Sequence, residues 1–93
     1  MFVVTFKLQG KPASRIEITQ SLQGFADRVR KVEGCIEAQV TKDINDENNF
    51  LLVEKWQKQR NVDDHLKSSL FSALLGIEGL LVKPPEIEFL VEN

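Results

Sequence analysis

The chain has no tyrosine, and only one histidine, one cysteine, one tryptophan and one methionine among its 93 residues. A lone cysteine, Cys35, cannot close an internal disulfide, which fits a reducing, cytoplasmic setting. One histidine and one cysteine cannot by themselves hold zinc, and the carboxylates show no ligand spacing, so no metal is expected. No apolar run approaches the ~20 residues of a membrane span. The apolar start, Met1 to Phe6, is short and has no basic segment before it, so it does not read as a signal peptide. Twelve Lys and Arg are scattered against fourteen Asp and Glu, for a net charge of −2, so no basic stripe points to nucleic acid. Gly76-Ile77-Glu78-Gly79 follows no strand and is neither a phosphate loop nor a dinucleotide fingerprint. No serine sits in a nucleophile elbow. Asp43 to Glu47 lacks the central glycine and terminal glutamate of a calcium loop.

What is present is the composition of a globular protein, 42% apolar and 28% charged. The length allows one domain, residues 1–93. Residues 2–8 alternate, with Phe2, Val4, Phe6 and Leu8 on one side, and Gly10-Lys11-Pro12 ends that strand. Ser14 and Glu17 have capping-box spacing. Ile18, Leu22, Phe25, Val29 and Val32 then form one helical stripe, and Gly34 suits the left-handed residue that closes it. Residues 35–42 alternate with Ile36, Ala38 and Val40 on one side. Asp43 to Asn48 is turn chemistry, and 49–57 is the partner strand. Asn61 can cap a short helix with Val62 and Leu66, a second helical piece starts near Ser69, and Gly76 or Gly79 ends it. After Pro84-Pro85, Ile87, Phe89 and Val91 make a last strand. The order β-α-β-β-α-β predicts an α+β, ferredoxin-like fold: a four-stranded antiparallel sheet with its helices on one face.

The other face then needs cover. Phe50, Leu52 and Trp56 point one way along the third strand, Leu51 and Val53 the other. Val3 and Leu90 add to the face without helices. Such a patch exceeds what monomers usually expose, so a homodimer through the sheet face is expected.

Three segments carry a resemblance: Val32-Glu33-Gly34-Cys35, Asn49-Phe50-Leu51-Leu52-Val53-Glu54-Lys55-Trp56, and Val62-Asp63-Asp64-His65-Leu66-Lys67-Ser68-Ser69-Leu70-Phe71. Their order and spacing, with Pro84-Pro85 before the last strand, resemble the antibiotic biosynthesis monooxygenase domain family over nearly the whole chain. The resemblance implies a dimeric α+β barrel with a ligand cleft between helices and sheet. It also implies relatives that oxidise phenols or quinols with O₂ and no cofactor, that degrade haem, or that act on a bacterial signalling molecule. The chain departs from the pattern in places. Ala38 stands where many relatives have an aromatic residue, often tyrosine, and Leu70 where many have a second histidine. Phe6 replaces the asparagine, and His65 the tryptophan, of haem-degrading relatives, which disfavours haem.

His65 is the only side chain suited to proton transfer near neutral pH and is the candidate base; its bland alternative is a packing residue fixed by one hydrogen bond. Trp56 and Phe71, with Phe6 and Phe25, are candidates to hold a small hydrophobic or aromatic ligand, though each also fits core packing. Glu54 shares the apolar side of Leu52 and Trp56, so it needs a partner; an Arg or Lys lock is expected before acid–base work. Cys35 has no basic neighbour in sequence and should pack as a small apolar residue. Two functions are compatible with these residues: a cofactor-independent monooxygenase for a small aromatic or quinol, or a non-catalytic dimeric binding or stress-response module.

Overall fold

A computed structural model describes residues 1–91. The elements are β1 (Phe2–Gln9), α1 (Arg15–Val29), β2 (Cys35–Lys42), β3 (Asn49–Trp56), α2 (Gln59–Leu66), α3 (Ser69–Leu75) and β4 (Glu86–Val91), with 3-10 turns at Pro12–Ser14 and Glu78–Leu80. The strands form one antiparallel sheet in the order β2-β3-β1-β4. The fold is the expected α+β, ferredoxin-like one, with the second helical segment split into α2 and α3.

Register places the core. Phe2, Val4, Phe6 and Leu8 lie opposite Trp56, Glu54, Leu52 and Phe50, and facing residues share a side of the sheet. That side meets Ile18, Leu22, Phe25 and Val29, the buried stripe of α1. Removing such side chains from water is the main driving force of folding, about 1.5–3 kcal/mol for each fully buried large apolar group.

The local signals fare unevenly. Ser14 makes no capping hydrogen bond; Pro12, with its fixed φ, instead opens a 3-10 turn that leads into α1. The helix stops at Val29, so Val32 sits in the following turn, although it still packs on the core. Just past that end, Arg30 Nε donates to the Ala38 carbonyl at 2.8 Å, which ties the chain to β2. Gly34 has φ +88°, as its place in the turn predicts. A Cβ there would collide with the Asn61 side chain, so this glycine lets α2 approach the turn. Asn61 does not occupy the cap position. It lies in the first turn of α2, where its Oδ1 accepts from the Lys58 N–H at 3.1 Å. α3 is capped by Ser68 and closes at Gly76.

β2 departs most from simple alternation. The pairing shifts between Cys35 and Glu37, so Ile36 is the extra residue of a bulge. Cys35 thereby joins Ala38 and Val40 on the helix side, and Ile36 is left 49% exposed. On the opposite face Val53, Leu51, Val3 and Leu90 are mixed with Thr5, Gln39, Thr41 and a Glu37–Lys55 ion pair at 3.3 Å. Among the described residues no helix is long and apolar enough to cross a membrane.

Candidate functional site

The period of two along β3 sets Leu52, Glu54 and Trp56 on the helix side. The turn at Gly34 then fixes where α2 begins, because the Gly34 carbonyl accepts from the Gln57 N–H at 2.9 Å just before it. Two turns along α2, His65 is lowered onto the sheet. It lands on Glu54: His65 Nε2 lies 3.2 Å from Glu54 Oε2, while the Trp56 Nε1–H donates to Glu54 Oε1 at 3.2 Å. The partners of Glu54 are therefore an imidazole and an indole rather than the expected Arg or Lys, since among the described residues no Arg or Lys is buried.

All three groups are sealed. Glu54 and Trp56 are 0% exposed and His65 is 2% exposed. Aromatic rings enclose the imidazole: Trp56 at 4.8 Å between centroids, Phe71 edge-on at 5.8 Å and Phe25 at 5.9 Å. Phe6 stands one ring further out, 5.9 Å from Phe71. The structure thus brings together every residue singled out from the sequence, Glu54, Trp56, His65, Phe25, Phe71 and Phe6, in one cluster. Ser68 pins the corner between α2 and α3, donating from Oγ to the His65 carbonyl at 2.6 Å and accepting from the Phe71 N–H at 3.2 Å.

The chemistry of this cluster turns on the histidine tautomer. In a neutral imidazole, an Nε2–H that donates to the Glu54 carboxylate leaves the lone pair on Nδ1. That Nδ1 is buried and has no hydrogen-bond partner among the described residues. A buried nitrogen without a partner is disfavoured by roughly 1–3 kcal/mol relative to a paired one, so the site holds an unused acceptor. Beside it, the Cys35 thiol is pushed up by burial first and by the charge of Glu54 second, with Sγ donating to the Glu37 carbonyl at 3.6 Å. A raised thiol is a poor nucleophile. Among the described residues no three His, Cys, Asp or Glu side chains converge as a metal would need.

Two hollows lie outside the cluster. One, of about 530 Å³, sits at the hairpin end of the sheet, with Lys7, Gln9, Asn49 and Leu51 in its wall. The other, of about 290 Å³, runs between α1 and α3. Neither is bordered by His65, Glu54 or Trp56, but Phe25 borders the second, and its ring centroid lies 5.9 Å from that of His65. The α1 residues of that groove, Gln20, Ser21, Gly24 and Arg28, were not singled out in the sequence. A glycine in mid-helix was the one signal that could have found them.

Residues 1–75 match the family model described as antibiotic biosynthesis monooxygenase. A Bacillus subtilis protein named YcnE, a candidate monooxygenase, is 24% identical over 85 residues, covering 91% of this chain and 90% of its own. The crystal structure of a candidate antibiotic biosynthesis monooxygenase from Deinococcus radiodurans superposes with a TM-score of 0.92 at 20% identity, covering 100% of this chain and 93% of the other. A conserved protein from Methanosarcina mazei gives a TM-score of 0.91 at 24% identity, over 99% and 92% of the two chains. At these identities the structures speak for the fold alone, whereas the family model spans most of the sequence: the chain belongs to the antibiotic biosynthesis monooxygenase family.

Proposed function

We propose that the protein is a cytoplasmic, homodimeric, cofactor-independent monooxygenase acting on a small aromatic or quinol-type substrate. The observation that carries this reading is the unpartnered, buried Nδ1 of His65, on an imidazole held by Glu54 and walled by Trp56, Phe25 and Phe71. His65 Nδ1 takes a proton from the substrate, and Glu54 stabilises the imidazolium through Nε2. The resulting anion is electron-rich enough to reduce O₂ itself. One oxygen atom ends in a new ring carbonyl, and the other leaves as water with the single ring hydrogen of the oxidised carbon and the hydroxyl hydrogen of the substrate, whose own C–O becomes a second carbonyl. The substrate thus supplies all four electrons, while the rings exclude bulk water from the reacting anion. Access to His65 requires a ring to swing aside, and Phe25, shared with the α1–α3 groove, is placed to do so.

Family membership and the exposed Leu90 on the open face, beside half-buried Leu51 and Val53, support the dimer. The test is oxygen uptake with a panel of quinols and hydroxylated aromatics. Wild type should consume O₂ with at least one of them, and His65→Ala should lose most of that rate; equal rates overturn the role of His65.

The complete burial of Glu54, Trp56 and His65 favours a second reading, a dimeric binding or stress-response module in which the cluster is a polar staple in the core. Under that reading no panel member supports oxygen uptake, and His65→Ala lowers thermal stability without changing any turnover.

A further inference from the structure

The groove between α1 and α3 has the makings of a ligand site of its own. Gln20, Gly24 and Arg28 recur at intervals of four along α1, so they share one helix face. Leu70, Leu74 and Ile77 face them from α3 and the turn after it. The inner wall is the ring of Phe25. Apolar walls with a few polar groups at the rim are the usual make-up of a small-molecule site.

Gly24 leaves the middle of the α1 wall without a side chain. A glycine inside a helix costs about 1 kcal/mol relative to alanine. Such a glycine is usually kept where a neighbour presses on the backbone, yet a Cβ at Gly24 would meet nothing within 4 Å. No packing contact therefore requires the glycine, and its bare backbone lies beside open space in the groove wall. Arg28 supplies the second observation. The arginines in ion pairs are Arg15 and Arg30, and the Arg28 guanidinium has no hydrogen bond or ion pair among the described residues. It stands at one end of an apolar slot as an unneutralised cation with a fork suited to a carboxylate.

We infer that this groove binds a single-ring aromatic carboxylate, with its ring against Phe25, Leu70 and Leu74, its carboxylate on Arg28, and a polar substituent towards Ser21 and Gln20. The size sets the one-ring limit: about 290 Å³ is at the lower edge of the roughly 300–1,000 Å³ found for ligand pockets. The groove lies on the helix layer, so a dimer formed through the opposite sheet face leaves it open to water. The inference deepens the oxygenase reading by giving its aromatic substrate a negative charge, and rests on that reading only for the chemistry after binding. Phe25 is the shared wall: a ring lying on it is one side chain away from His65.

The test is a titration of the ¹⁵N-labelled full-length protein with 4-hydroxybenzoate and, separately, with its neutral methyl ester, followed by amide shifts. Saturable shifts should concentrate in residues 20–28 and 70–77. Arg28→Gln should weaken binding of the acid by about fivefold, the upper range for an exposed ion pair, and leave the ester unchanged, while Arg28→Lys should retain part of the difference. Gly24→Leu, which extends into empty space, should abolish binding of both compounds with the amide spectrum still that of a folded protein. Should that variant not fold, the Arg28 pair decides alone. Shifts that never saturate, shifts located elsewhere, or equal acid binding by wild type and Arg28→Gln overturn the inference. Binding without oxygen uptake on any substrate leaves the groove standing and removes the oxygenase reading. Quinol oxidation with no binding of 4-hydroxybenzoate does the reverse.

Discussion

β1 and β4 lie side by side and use much the same residues. β1 reads Phe-Val-Val-Thr-Phe-Lys-Leu-Gln and β4 Glu-Ile-Glu-Phe-Leu-Val, with Phe89 directly across from Val4 and Ile87 from Phe6. Yet Val4 and Phe6 are 1% exposed, while Phe89 is 58% exposed and every residue of β4 is open to solvent. Alphabet and alternation are shared, so the difference is one of position. β1 is flanked by β3 and β4 and roofed by the helices, whereas the helices lie over the β2 and β3 side of the sheet. Burial belongs to the layer that covers a strand, not to the strand itself.

The comparison can be broken most forcefully at its extremes. Phe6→Ala should destabilise the protein by about 3–5 kcal/mol in urea unfolding, the usual effect of deleting a large core side chain. Phe89→Ala at high dilution should stay within about 0.5 kcal/mol of wild type. Under conditions where a dimer forms, Leu90→Ala, on the open face across from Val3, should raise the dissociation constant about tenfold by sedimentation, as loss of a buried interface side chain does, whereas Phe89→Ala, on the helix side, should leave it unchanged. Equal destabilisation at high dilution would mean that β4 is covered in the single protomer after all.

The next effect concerns the polar exception on the buried side. Glu54→Ala leaves the indole N–H and the imidazole Nε2 buried without their acceptor, and should lower stability by about 3 kcal/mol. Glu54→Gln, which keeps one acceptor oxygen, should lose less than half of that. Gly34→Ala forces a side chain to adopt φ +88° against Asn61 and should lose about 1–3 kcal/mol, with the loss seen first in hydrogen exchange of α2.

The smallest effect falls on a half-covered group between the two regimes. Cys35 is raised by burial and by the charge of Glu54. Its alkylation by iodoacetamide at pH 8 should be slower than that of a free thiol, and its rate should climb at a higher pH than the ordinary thiol range. Glu54→Gln should move that climb back down.

Much of this was legible in the residues. Alternation in β1, β3 and β4, the stripe Ile18, Leu22, Phe25 and Val29, and the turn chemistry around Gly34 are all local rules, and together they fix the element order. The β3 members of the cluster were legible too, because period two puts Glu54 and Trp56 on one side with no second choice. The partner of Glu54 was not, since no local rule says which residue of a distant helix descends on a strand. The bulge at Ile36 was equally hidden: an inserted residue leaves the composition unchanged and only slips the pairing by one. Ser14 and Glu17 had the right spacing for a capping box, but Pro12 two residues earlier set a 3-10 turn that took its place. The groove was missed because its signal was a gap, and apolar periodicity records only what is filled.

That bulge has a consequence for self-association. β2 and β4 are the two borders of the sheet, and a border strand offers unpaired backbone groups on which a foreign chain can build. With one residue too many in its first turn of pairing, β2 is a warped template that an incoming extended segment cannot follow. β4 has no such irregularity, and since Glu86 is paired with Lys83 at 2.7 Å, the charge left to oppose stacking along it is that of Glu88. Neutralising that one carboxylate, with the core untouched, would therefore leave this border open to an incoming strand.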